Sequence, residues 1–325
     1  MRAQMACRER PGMTHVVGRL FTAEILERLG SLVGQKVPMN GKDVRNRHRI
    51  LTATPGSSSE GDILQQAAWK MYLNAAFDCG LLPDSDLEGR LQGIDDDGFR
   101  SGLSECMTAW YMARLGFEVR PKPESTHQRN VDFLFLKQGA CIHAEVKAPY
   151  SPLPMVGGWS ESDTKVFLKC IKDAGSGQLK RGRTNLLVVC PTVRMPVFAE
   201  RSQLIEATIG QVFWEVPVSL DGSRPPKGRV GFHQNGKLAK LIKNKQTGAF
   251  TTDFTRIGAV MTLEPDFAWI LDEDRFEVRH RALVVHNPFA THRIDPDLFG
   301  DIAQWIVNGE GDTKTMGWSD RYSGP

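Results

Sequence analysis

Two short segments constrain this chain more than any others: Asn130-Val131-Asp132-Phe133-Leu134-Phe135-Leu136 and Ala144-Glu145-Val146-Lys147, with Gln138-Gly139 between them. Each reads as a strand. A hairpin with a two- or four-residue loop centred on Gln138-Gly139 sets Asp132 opposite Glu145 and Asn130 opposite Lys147. Side chains alternate along a strand, so Glu145 and Lys147 share one face with His143, and Val146 points the other way. Directly opposed residues have Cβ atoms about 4.5–5.5 Å apart, so two carboxylates there repel unless a cation or proton lies between them. The plain alternatives are a hydrogen-bonded loop-end Asp and a solvated Glu-x-Lys edge. His143, between Ile142 and Ala144, reads as a core or rim histidine.

The flanking sequence supplies context. Asp95, Asp96 and Asp97 precede a helical pattern with Phe99, Leu103, Cys106 and Trp110 on one stripe, and acids at a helix start suit the free N–H groups and the macrodipole. Glu105 lies on the flank of that stripe, beside Ala109 and Met112, and Gly116 supplies the stop. Phe117 to Val119 reads as a strand ended by Pro121 and Pro123. Ser160 to Ile171 reads as a helix with Val166, Phe167, Cys170 and Ile171 on its apolar side. Asn185 to Cys190 is an apolar run bounded by Pro191, as in a strand buried on both faces. The order is α-β-β-β-α-β.

This constellation resembles the PD-(D/E)xK nucleases, the restriction-endonuclease-like superfamily, over residues 97–191, under a third of the chain. Val131 stands where the motif's name has Pro. The resemblance implies an α/β fold with a mixed central sheet flanked by helices, and metal-assisted hydrolysis of phosphodiester bonds. It implies that Asp132, Glu145 and the Val146 carbonyl hold Mg²⁺, with Mn²⁺ as a substitute, and that Lys147 orients water or stabilises the transition state. Glu105 takes the place of the helix acid, as a further catalytic and metal-binding candidate. Gln178, Lys180 and Arg183 fall where the family places a Gln or basic residue that contacts nucleic acid, although Gly175-Ser176-Gly177 interrupts the helix there.

Composition sets outer limits. Hydrophobic residues make up 41%, enough for a sizeable core, and the formal charge of +3 does not by itself name a nucleic-acid partner. Charge distribution says more. From Gly222 to Thr252 there are seven basic residues (Arg224, Lys227, Arg229, Lys237, Lys240, Lys243 and Lys245) and no acid, in a loop- or hairpin-like stretch. Lys42, Arg45, Arg47 and Arg49 form a second cluster. Both suit phosphate contacts or solvated loops, and Arg229, Lys237 and Lys240 are the nucleic-acid candidates of the first. The six cysteines, Cys7, Cys79, Cys106, Cys141, Cys170 and Cys190, lack zinc-like spacing, and four fall in expected core elements. With no apolar stretch near 18 residues and no secretory segment, the sequence reads as cytoplasmic and reducing, without a membrane partner.

The remainder sorts into two regions around a core at 96–195. Residues 1–95 read as helical, over Val16–Val37 and Ile63–Cys79, with Asn40–Glu60 as a polar loop; such helices suit a homodimer or protein partner. In 196–325, the basic segment is followed by strands Ile257–Leu263 and Arg281–His286 extending the sheet. Pro296–Val307 reads as a closing helix with Ile302, Trp305 and Ile306 inward. The function expected is a metal-dependent nuclease, foremost a DNA endonuclease. One alternative is an inactive nuclease-fold protein that only binds nucleic acid or a partner; the other is an assembly or scaffold protein in which Asp132, Glu145 and Lys147 form a structural ion-pair cluster.

Overall fold

The stretch from Asn185 to Val189 is buried at every position, and it is the strand around which the sheet is ordered. The computed structural model describes residues 20–32, 36–39, 42–45, 60–93, 96–121, 131–149, 161–191, 201–210, 212–215, 229–232, 236–238, 241–243, 250–252, 254–270, 275–308 and 315–319. It divides into two compact units, Met1–Pro121 with Pro265–Arg279, and Lys122–Glu264 with His280–Pro325. The stretch 96–195 is therefore shared between them.

The first unit contains α1 (Ala23–Leu32), the strands β1 (Lys36–Met39) and β2 (Lys42–Arg45), then α2 (Glu60–Asp78), α3 (Ser85–Leu91), α4 (Asp96–Arg114) and β3 (Glu118–Pro121). Two differences from the sequence reading stand out. A hairpin, β1 against β2 with Met39 facing Lys42, occupies part of the expected helix and polar loop. Only Asn40 and Gly41 separate the strands, and Asn-Gly is a strong hairpin signal. The short α3 is capped by Asp84, whose Oδ1 accepts from Asp86 N–H and Leu87 N–H at 3.0 and 2.8 Å. Pro55 to Ser59, Arg47 and Arg49 lie outside the described residues, as do the side chains of Lys42 and Arg45.

Helix α4 ends as expected. Gly116 takes a φ of +81°, its N–H bonds Ala113 O, and Phe117 N–H bonds Met112 O. These are the paired bonds of a Schellman motif, and they need a residue at ease in the left-handed region. Its buried stripe is rotated from the expected one, however. Leu103 and Trp110 are half-buried, and the most enclosed side runs through Phe99, Gly102, Glu105, Cys106, Ala109 and Met112. Gly102 is part of the cause, since a Cβ there would lie 3.1 Å from Leu91 Cδ2 on α3.

The second unit carries β4 (Phe133–Lys137), β5 (Ala140–Lys147), α5 (Glu161–Asp173), β6 (Asn185–Val189), α6 (Arg201–Thr208), β7 (Val212–Glu215), β8 (Arg229–Phe232), β9 (Leu241–Lys243) and β10 (Phe250–Thr252). It also takes the part of β11 (Ala259–Ile270) up to Glu264 and the part of β12 (Arg275–His286) from His280, then β13 (Ala303–Asn308) and β14 (Thr315–Ser319). The result is an α/β architecture with a mixed sheet of seven strands in the order β14-β13-β12-β11-β6-β5-β4. β6 is parallel to both β5 and β11, with Glu145 beside Leu187 and Val260 beside Leu187. Parallel strands need a crossover, which α5 supplies. Its Phe167, Cys170 and Ile171 pack with Leu187 and Val189, and with Leu204 and Ile205 of α6, in one core. β7 pairs with β8 and β9 with β10, so the basic segment does contain hairpins.

The expected closing helix is not formed. Pro296–Phe299 makes one 3-10 turn, Gly300 leaves it at a φ of +62°, and Ala303–Asn308 becomes β13, parallel to β12. Ile302 and Trp305 are buried as expected, but Ala303 and Gln304 are buried between them, so burial is continuous as in an interior strand. Gln304 fixes this corner. Its Nε2 donates to Pro296 O at 3.0 Å, leaving Oε1 to accept from His286 Nε2 at 2.9 Å. Among the core-element cysteines, Cys106, Cys170 and Cys190 are buried, and Cys141 is exposed.

Burial holds the His286 imidazole below the usual histidine range, and the bond to Gln304 offsets this only partly. A depressed folded-state pKa means that the unfolded chain takes up the proton first. Stability contributed by His286 is therefore complete above the unfolded value of about 6.5 and is lost as pH falls from there toward the folded value. Denaturant melts between pH 8 and pH 5 are expected to show this decline, and His286→Gln is expected to flatten it.

Candidate active site

The hairpin of β4 and β5 closes through Gln138 and Gly139, both at positive φ (51° and 78°), with Lys137 paired to Ala140. Two such residues make a type I′ turn, whose twist matches the strands it joins. The ladder runs from there to Phe133 opposite Ala144, and one further step of this register brings Asp132 to Glu145, as the sequence predicts. The chain departs from the ladder at that step. Asp132 N–H bonds Ala144 O at 3.0 Å, and Asp132 Oδ2 accepts from Val146 N–H at 2.7 Å. Asp132 thus caps the end of β5 with its carboxylate. Along a strand the N–H and C=O of one residue point to the same side, so the Val146 carbonyl faces the side on which Asp132 sits. Asn130 lies outside the described residues.

Glu145 is 2% exposed, and its Oε1 accepts from Lys147 Nζ at 2.7 Å. The second oxygen, Oε2, is buried as well. Lys147 is 25% exposed, so the pair leads from the interior to water. Both residues stand on the face that packs under α5: the Lys147 ammonium acts on the Cys170 thiol, whose pKa burial pushes up to about 11 and Lys147 pulls back. Lys147 O also accepts from Cys190 N–H at 2.7 Å, tying the end of β5 to β6. Asp132, Glu145, Val146 and Lys147 are thereby brought to one end of one hairpin. Among the described residues, no three His, Cys, Asp or Glu side chains gather as a metal-holding group. The oxygen donors at this end are two carboxylates and one main-chain carbonyl.

Glu105 belongs to the first unit and has a partner there. Arg90 of α3 grips both of its oxygens, Nη1 to Oε1 at 2.5 Å and Nη2 to Oε2 at 2.9 Å. Arg90 Nε also lies 3.3 Å from Asp86. This fork clamps α3 to α4.

The nucleic-acid candidates separate. Gln178 closes the wide turn Ala174–Gln178 that continues α5, and is half-buried. Lys180 is half-buried and Arg183 exposed, at the start of β6, the opposite end of the strand from Lys147. Lys237 is half-buried over the Phe254 ring, its Nζ 5.3 Å from the centroid. The Arg229 side chain and Lys240 lie outside the described residues. Two residues gain a part that sequence reasoning did not give them. His143 Nδ1 is 3.4 Å from Arg183 Nη1, and burial together with Arg183 and Lys180 holds its imidazole below the usual range. Asn185, buried in an otherwise apolar strand, gives three hydrogen bonds to neighbouring carbonyls; an Asn inside an apolar run was the available signal.

Replacing Glu105 by Gln is expected to lower stability by about 1–3 kcal/mol in chemical denaturation, below the figure for a fully enclosed pair because Arg90 is 29% exposed. In comparisons with known proteins, the chain matches no family model, no curated protein and no solved structure.

Proposed function

We propose that the second unit hydrolyses phosphodiester bonds of nucleic acid with the aid of a divalent metal ion, DNA being the foremost substrate and internal cleavage the foremost mode. The reading attaches to the PD-(D/E)xK resemblance and to a restriction-endonuclease-like core. One observation carries it: two carboxylates and an ammonium meet at the end of the β4–β5 hairpin, around the Val146 peptide. Two acids beside a lysine suit a bound cation and the charge that develops on a phosphate.

The donor set fits the ion. Asp132, Glu145 and the Val146 carbonyl offer only hard oxygens, and Mg²⁺ or its substitute Mn²⁺ needs few protein ligands because it retains water. When bound, the ion supplies Lewis acidity toward a phosphate oxygen and a lowered pKa for water. Asp132 holds its own position through the Val146 N–H, so its second oxygen is oriented before any ligand arrives. Lys147, half in water, exchanges its bond with Glu145 for one to the attacking water or to the phosphate as negative charge builds there. Glu145, anchored in the interior, keeps that lysine in place. Glu105 takes no step in this mechanism, since Arg90 occupies its oxygens.

A second reading has one observation in its favour: Glu145 and Lys147 already satisfy each other at 2.7 Å, as an ion pair in a binding or assembly protein would. Asp132→Asn separates the two. It retains an acceptor for the Val146 N–H and removes the charge. Purified protein is to be incubated with supercoiled plasmid, linear duplex, single-stranded DNA and RNA, with Mg²⁺, Mn²⁺ or EDTA. Cleavage is expected with metal only, reduced by about 10²-fold or more in Asp132→Asn and Lys147→Ala. A Mg²⁺-dependent rise in melting temperature is expected in the parent protein and not in Asp132→Asn. Absence of cleavage and of that rise would leave the ion-pair reading standing.

A further inference from the structure

Asn185 is wholly buried, yet its side-chain Nδ2 donates to Lys180 O at 2.7 Å, Arg183 O at 3.1 Å and Arg256 O at 2.8 Å. Two hydrogens serve three acceptors, so the Nδ2 donors are fully used. These bonds turn the carbonyls of Lys180 and Arg183 inward, with Gly182 at a φ of +76° making the reversal between them. The cationic side chains are left outward: Arg181 and Arg183 are exposed, and Lys180 is half-buried. Arg183 reaches back to His143 on β5, whose neutral ring can accept its N–H. The same amide fixes the turn that carries Arg256, and Gly258 N–H bonds Asn185 O at 2.8 Å.

A second set of contacts joins the basic segment to this place. Phe254 packs against Gly175, where a Cβ would come within 2.4 Å of the ring, and Lys237 lies over the same ring. Lys237 N–H and Leu238 N–H bond Ala207 O and Thr208 O, which holds the strand of chain in place. Lys180, Arg181, Arg183, Arg256 and Lys237 therefore come from three separate stretches and are set around one buried amide and one ring. Asp173, at the end of α5, and Glu206, beside Ala207 on α6, are acids on the elements that support it. Ordinary solvated lysines need no such support.

We propose that this basic surface carries the sugar-phosphate backbone of a nucleic-acid strand leading to the Asp132–Glu145–Lys147 end of the hairpin, an assignment that rests on the nuclease reading for its ligand. Arg183 reaches His143, which pairs with Asn185 at the start of β6, and Lys147 pairs four residues further along, at Val189. Four residues of strand span about 13 Å, which is about four base steps of a duplex.

The test measures binding, not cleavage. Fluorescein-labelled duplex DNA, single-stranded DNA and RNA are titrated in EDTA across a salt series, and Kd is read by anisotropy. The variants are Arg183→Gln, Arg181→Gln with Lys180→Gln, and Lys237→Gln, with Lys70→Gln, an exposed residue of α2, as the control. Each substitution on the surface is expected to weaken binding severalfold and to lower the log–log salt slope by about one per charge removed. The control is expected to match the parent protein. Equal slopes in parent and variants, or no binding by the parent, would overturn the assignment. Its failure is distinguishable from that of the nuclease reading. Metal-dependent cleavage with unchanged slopes sinks only the surface; reduced slopes in a protein that never cleaves sink only the catalysis.

Discussion

Everything at the candidate site depends on β5 belonging to two ladders at once. On one side it pairs antiparallel with β4, and on the other parallel with β6. Each ladder alone admits slippage, and a slip of one residue would send Glu145 and Lys147 to the opposite face. Held by both, β5 has one register. That register puts Glu145 and Lys147 under α5, Val146 toward Asp132, and His143 beside the turn that precedes β6. The two-residue loop at Gln138 and Gly139 sets the first ladder, and the wholly buried central strand beside it sets the second. Neither contributes a catalytic atom.

What the sequence made legible follows from how local each signal was. The Gln138-Gly139 turn, the stop at Gly116 and the doubly buried β6 are each specified within a few residues, and all three took the expected form. Asn40-Gly41 is equally local, but it falls between a helical pattern and a polar stretch that mask the two short strands it joins. β13 shows a different difficulty. Ile302, Trp305 and Ile306 fall at helical spacing, and only the burial of Ala303 and Gln304, which depends on β12 lying alongside, reveals a strand. Glu105 is the clearest case of tertiary context. Its place on the helix was readable, but its partner comes from α3, a helix that the sequence reading did not contain.

Two acid–base pairs in this protein illustrate how differently the same chemistry can be held. Arg90 and Glu105 meet through a fork of two parallel bonds between helices, so parting them disturbs the packing of α3 on α4. Glu145 and Lys147 meet through a single bond two residues apart on one strand, the acid enclosed and the base partly in water. The first arrangement resists rearrangement, and the second permits the lysine to turn outward while the carboxylate stays. A site that must accept and release a ligand is better served by the second.

Gly236 draws these features into one consequence. A Cβ at this position would fall 2.2 Å from the carbonyl carbon of Ile209, and the Gly236, Lys237 and Leu238 N–H groups all bond carbonyls at the end of α6. The chain between β8 and β9 is thus riveted at its middle to a helix that packs against α5. Three backbone bonds make that seam, and a lone methyl group on Gly236 would be enough to part it.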